Sequence, residues 1–549
     1  MHWTERNTIH DGRQTARGIP VKAMSVLRTV GGCGSLLFSL LFAVSAGSQE
    51  IPRFDIRAFR VEGNSILPQA TVDALVKPFT GAGKDFGDIQ NASEALERAY
   101  SDQGYTTVSV LLPEQSLDSG EVRLRVIEGR IRSVKVEGAT FFDNQNIRAS
   151  LPGLKEGAIP IMDDLSASLR VANEHPMKKI SLRLAFGDRE EDLDATIAVT
   201  DDRPWRAGVT LDNTGTEQTG RRRLGFIWQH GNLFGRDHQL SLQYQTSPER
   251  FRDVSISAAS YRIPLYALGD SIDFIATNSD VNVGTVVAGP ISLAVTGKGS
   301  AFGVRYNWNL KRRESYEHQV VFGLDEKALK NSLLASGEEF GNNVTVRPLT
   351  ITYNGRWVQP GEETGYFVSL ARNLPGGKNA GQDSITLARV DAPAGFQILR
   401  GGLNLNREFA DDWQWRLGLS AQWARSPLVP GEQFGLGGSA SVRGFEEREF
   451  SNDKGFQGNV EVYSPDLCLP MGANCRVLAF YDFGALGRNQ PLPGESASEH
   501  LASAGIGARY ILGKRLTLQA DVAQVVDSGA NSNMSRGAWK VHARIALLF

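Results

Sequence analysis

Few residues in this chain have the types and spacing that chemistry needs. Cys468 and Cys475 stand seven positions apart. A metal site there would need two further ligands, and only Asp466 flanks the pair. The eight histidines are scattered, with no pair at the spacing that puts two ligands on one helical face. GAGKDFG at 81–87 has the glycines and lysine of a phosphate loop but lacks its spacing and the Ser/Thr after Lys. GLGGSAS at 435–441 has no strand–helix unit around it and reads as a flexible loop hinge. No serine sits in a nucleophile elbow. These readings argue against an enzyme and against a resident metal or cofactor. With a net charge of −2 and no long basic run, nucleic acid is excluded as a partner class.

The compartment is written at the N-terminus. Arg28 precedes an apolar run from Leu36 to Ala43, and Val44-Ser45-Ala46 supplies small residues at the cleavage spacing. Residues 1–46 therefore read as a secretory signal peptide. Met24 to Ala46 alone matches the usual signal length of roughly 15–30 residues, so a true start at Met24 competes with Met1. The apolar core is too short for a membrane anchor, and Cys33 lies on the wrong side of it for a lipoprotein. In an exported chain, an isolated Cys468–Cys475 pair reads as a disulfide closing a short loop. Chain entropy for so small a loop contributes about 2.5 kcal/mol at most.

The elements fall into three blocks. Residues 54–131 open with FDIRAFRVEGN, an alternating strand. Helices at about 68–79 and 88–103 follow, then TTVSVLLP and EVRLRVIEG as a strand pair. The β-α-α-β-β pattern recurs at 132–203, with helices near 144–151 and 163–174, and RVEGN returns as KVEGA. From 204 to 549 the texture is different. Alternating runs such as QLSLQYQ (239–245) and WKVHARIALLF (539–549) succeed one another to the terminal Phe549. In the last run Val541, Ala543, Ile545, Leu547 and Phe549 face one way, with His542, Arg544 and Ala546 opposite. Tight turns (410–412, 512–514) alternate with long polar connections (DNTGTEQTG, SLLASGEEFGNN, LPGGKNAGQDS). That rhythm predicts a transmembrane β-barrel of about 16 antiparallel strands behind two small α+β domains. A soluble sandwich or propeller explains neither the turn rhythm nor Phe549.

Four motifs occur in order: GYTTVSVLLPEQSLDSGEVRLRVIEGRI at 104–131, GNLFGRDHQLSLQY at 231–244, FGLGGSASVRGFEE at 434–447 and VLAFYDFGAL at 477–486. Through them the chain resembles the TpsB outer-membrane transporters of two-partner secretion, the hemolysin-activator type, over nearly all of 54–549. The resemblance makes 54–131 and 132–203 POTRA domains in the periplasm. It makes 204–549 an outer-membrane barrel with an in-folded loop at 426–455. It implies a secreted, TpsA-like exoprotein caught at the second strand of each POTRA domain (about 106–112 and 180–186) and moved without ATP. It also implies contact with outer-membrane lipid, and with the barrel assembly machinery, for which Phe549 is the C-terminal signal. Within the loop, Val442-Arg443-Gly444-Phe445 would enter the lumen, where Arg443 meets Asp482 on an inner wall carrying Phe480 and Gly484. Gly444 would permit close approach, and Phe445 would anchor the tip. Some relatives carry a plug helix before the first POTRA domain. Gly47 to Arg53 is too short for one, leaving the Arg443 loop as the main obstruction. An assembly factor of the same superfamily and a passive porin are the alternatives. Two modules are few for the first and unneeded in the second.

Overall fold

In the computed structural model, residues 52–549 are described except 218, 281–283, 289–290, 296–297, 336–337 and 470–471. The signal peptide expected over 1–46 lies outside them.

The first module is a three-stranded sheet covered by two helices. Ala58–Glu62 pairs in parallel with Glu121–Glu128, which pairs antiparallel with the edge strand Val108–Leu111. Helices Gln69–Val76 and Phe86–Asp102 pack Val72, Val76, Ile89, Ala92, Leu96 and Tyr100 onto Val122, Leu124 and Val126. Asp85 caps the second helix reciprocally with Asp88. The single strand expected over FDIRAFRVEGN is two. Phe54–Ile56 pairs instead with Gly81–Lys84, so GAGK is strand and not a phosphate loop.

The second module repeats this plan. Arg130–Glu137 and Asp192–Asp201 are parallel, Lys178–Phe186 is the edge, and helices Asn144–Ala149 and Met162–Asn173 cover one face. The repeated glycine has one physical cause in both copies. Gly63 has φ +85° and a Cβ there would lie 2.3 Å from the Val126 carbonyl; Gly138 has φ +83° and would clash with the Val199 carbonyl at 2.5 Å. Two positions beyond each of those valines, a carboxylate gathers the amides that follow the glycine. Glu128 accepts from Ser65 and Ile66, and Asp201 from Thr140, Phe141 and Phe142. The two modules are thus one device used twice.

Sixteen antiparallel strands then close into a barrel, from Trp205–Asp212 to Trp539–Leu548. The eighth is interrupted between Glu338–Val346 and Pro348–Gln359, both paired to the seventh, Tyr316–Ala335. Pro348 has no amide hydrogen for the ladder, which suits the break. Closure joins Arg544–Leu548 to Asp212–Gly208, and Phe549 exchanges backbone bonds with Ala207. Side-chain alternation follows the expected parity: Val541, Ile545 and Leu547 are exposed and His542 is buried. One connection differs from expectation. Much of SLLASGEEFGNN is ladder, with Ala335 paired to Glu338 and Asn331 to Asn342, because the seventh and eighth strands continue past their neighbours.

Candidate functional site: the in-folded segment of the lumen

Residues 425–453 connect the eleventh strand (Trp413–Ala424) to the twelfth (Lys454–Tyr463), close to the 426–455 expected. The segment is built, not slack. A short 3-10 turn, Pro430–Glu432, precedes a hairpin of Phe434–Leu436 against Phe450–Asn452. The predicted flexible hinge GLGGSAS is instead the start of a tied tip. Gly438 N–H donates to the Val442 carbonyl, Gly437 N–H to Ser441 Oγ, and Ser439 to Glu447. Gly437 and Gly438 have φ of +104° and +107°, which explains the glycine pair.

The tip carries Arg443 to the wall. The thirteenth strand, Ala473–Gly487, presents Asp482 in FYDFG. Arg443 Nε and Nη2 reach the two Asp482 oxygens at 2.6 and 2.7 Å, and the Arg443 amide adds a third bond at 3.1 Å. The guanidinium also lies 3.5 Å from the Phe480 ring centroid. Arg443 is 4% and Asp482 0% exposed, so this is the shielded, bidentate form of the pair. Val442 and Phe445 are fully buried with Leu436, Leu486, Leu501 and Val525, an apolar socket within the lumen. A Cβ on Gly484 would sit 2.3 Å from Leu436, so that glycine makes room for the loop. Gly444, at φ +97°, donates its N–H to His542 Nε2 at 3.0 Å.

The sequence reading missed three partners. Glu461 on the twelfth strand meets Arg443 Nη1 at 2.8 Å, and Asp521 on the fifteenth (Leu516–Asp527) lies 3.6 Å away. Asn459 bridges Asp482 and the Ser441 carbonyl. Register exposes them: Asn459 is opposite Asp482, and Glu461 opposite Phe480, so both point inward wherever Asp482 does. Arg443 therefore sits among three carboxylates, and a single cation holds the tip to three strands.

Cys468, in the turn after the twelfth strand, is bonded to Cys475 at the start of the thirteenth, with Cα atoms 5.1 Å apart.

A second buried polar knot lies where the second module meets the barrel. It involves the early motif GNLFGRD, to which sequence reading gave no role. Lys178, with a fully buried side chain, contacts Asp237 in the first turn at that mouth, and also Ser150 and Asn146. Tyr266 donates to Asp237 from the next such turn at 2.7 Å. Burial pushes the Asp237 carboxyl up, but Lys178 and Tyr266 outweigh it and leave the group below the usual range. His175 bonds the Gly231 carbonyl through Nε2 and accepts the Met177 amide at Nδ1. A neutral ring satisfies both, and burial holds its pKa down to about 4. A side chain at Gly231 would strike Met177 and His175, so this glycine lets the module seat.

Architecture and site define a class: an outer-membrane barrel fed by periplasmic strand–helix modules, its lumen occupied by its own chain. The family comparison then assigns the chain. It belongs to the haemolysin secretion/activation protein family ShlB/FhaC/HecB, whose model matches residues 194–510, with a ShlB-type POTRA domain at 54–129. It is an outer-membrane transporter of the two-partner secretion type. The chain is 25% identical to the outer membrane transporter CdiB of Escherichia coli, over 84% of this chain and 77% of that one. It is 21% identical to the heme/hemopexin transporter protein HuxB of Haemophilus influenzae, covering 85% and 82%. The solved structure of CdiB from Escherichia coli superposes with a TM-score of 0.73 at 22% identity, covering 92% of each chain. That of CdiB from Acinetobacter baumannii gives 0.66 at 16% identity, covering 91% of each.

Proposed function

We propose that both modules, 54–131 and 132–203, act as POTRA receptors that capture an unfolded exoprotein by strand addition and pass it to the lumen. The carrying observation is a pair of sheet edges. Among the described residues, Val108–Leu111 and Lys178–Phe186 each pair on one side only. An edge of this kind offers main-chain bonds to an extended peptide, and neighbouring pockets select its side chains. Leu111, Ile127 and Phe186 line one groove between the modules, with Phe186 68% exposed. The bonded segment 425–453 is then the obstruction that cargo must displace, and release of Arg443 from Asp482 is the gating step. Displacement draws on the free energy of cargo capture, so no nucleotide is required.

A photo-crosslinking residue at Ser109 or Ser181, on the edges, should trap the secreted polypeptide in transit. The same residue at Thr196, on a central strand, should not. Crosslinks absent from both edges would move recognition elsewhere.

A further inference from the structure

The tip is not the only mooring of the in-folded segment. At its base, Glu432 is 2% exposed and both carboxylate oxygens are taken by wall cations. Lys327 of the seventh strand reaches Oε1 at 2.7 Å, and Arg400 of the tenth (Gln397–Phe409) reaches Oε2 at 2.9 Å. Gln422 of the eleventh strand reinforces the same point, accepting from Arg400 and donating to the Glu432 carbonyl. Asp453, 0% exposed, closes the base by accepting the amides of Leu428, within the segment, and of Asn489, just after the thirteenth strand.

The polarity here is reversed. At the tip a loop cation meets wall carboxylates on the twelfth, thirteenth and fifteenth strands. At the base a loop carboxylate meets wall cations on the seventh and tenth. The two clusters share no residue, and each has its own apolar bed. Val429 and Leu428 pack with Phe396, Ile398 and Ala424, whereas Val442 and Phe445 pack with Leu501 and Val525.

We propose that Glu432 is a positioning residue: a pivot that holds the base of the segment to the wall when the tip lets go. The segment then swings as a tethered arm instead of leaving the lumen. Swapping two ion-paired anchors of opposite sign is also unfavourable, because each loop charge would meet its own sign on the wrong wall. This inference rests on reading the segment as the obstruction of the pore.

The test uses the full-length protein in outer-membrane vesicles with a single added cysteine, the native pair being bonded. Val429→Cys reports the base and Val442→Cys the tip, both buried in the intact protein. Glu432→Gln should speed maleimide labelling at 429 by roughly tenfold or more and leave 442 within about twofold, since labelling follows local opening. Arg443→Ala should do the reverse. Lys327→Gln and Arg400→Gln reach the same contact from the wall, so a Glu432 variant that fails to insert does not end the test. If either variant accelerates both positions together, the segment is one cooperative plug and the pivot is wrong. If none of the three base variants moves position 429, Glu432 holds nothing. Failure of the gating reading is separate: it shows as unchanged conductance and secretion in Arg443→Ala, whatever the labelling pattern.

Discussion

At the residue scale, Arg443 and Asp482 act as one contact. Removing either partner leaves a buried charge uncompensated, at a cost of about 3–5 kcal/mol where water is excluded. Arg443→Ala should therefore cut secretion strongly, by at least roughly tenfold, while the barrel still inserts, because no ladder bond belongs to the tip. Asp482→Ala should match it, and the double variant should be little worse than either, as measured by exoprotein in the medium. Additive losses would mean the two side chains do not work together. The exchanged pair, Arg443→Asp with Asp482→Arg, should not recover secretion. Glu461 and Asp521 stay in place and would face an added carboxylate. Asp482 and Arg443 were legible in the sequence because both sit in recognisable motifs. Glu461, Asp521 and Glu432 were not, because their meaning depends on strand register and on which wall the loop touches. Inward parity, counted from Asp482 across to Asn459 and Glu461, was the signal available.

At the element scale, the modules, the alternating strands and the turn rhythm could be read because each is a local pattern. What escaped was pairing at a distance. The break at Arg57 arises because the residues before it pair with Gly81–Lys84 and those after it with Glu121–Glu128. The dock of the second module escaped for the same reason, since Lys178 and Asp237 meet only in the folded chain. That dock has a pH dependence. His175 carries a folded pKa of about 4 against an ordinary 6.5, so between those values the unfolded chain binds the extra proton. Stability contributed here is present above about pH 6.5 and is lost as pH falls toward 4, by up to about 3 kcal/mol. Hydrogen-exchange protection factors in the second module, taken relative to the intrinsic rate at each pH, should fall on acidification from pH 7 to pH 4.5. His175→Gln, which keeps one donor and one acceptor, should flatten that response; an unchanged profile would assign it to another group. The disulfide between Cys468 and Cys475 gives a second check. Both should resist thiol reagents in the unreduced protein and react after reduction, with at most about 2.5 kcal/mol of stability lost.

At the scale of the whole molecule, the modules proposed to recognise cargo and the barrel are separate parts, joined by contacts that include Lys178 with Asp237. The barrel closes through Gly208–Asp212 and Arg544–Leu548, without help from either module. A chain lacking 54–203 should therefore still insert as a heat-modifiable barrel, shifting on a gel when boiled, and should still conduct. Its secretion should fall to background, since the exposed edges have gone. Removing only 54–129 separates two further ideas, because Lys178, Asp237 and Tyr266 remain together in that variant. If the edges act in series, the shorter deletion should secrete at an intermediate rate with unchanged conductance. If Val108–Leu111 is the obligatory first contact, it should fall as low as the full deletion. Secretion at the original rate from the bare barrel would place recognition in the lumen instead. The segment 425–453 would then have to read the cargo as well as block it, and Ser109 and Ser181 should no longer be sites of crosslinking in the intact protein.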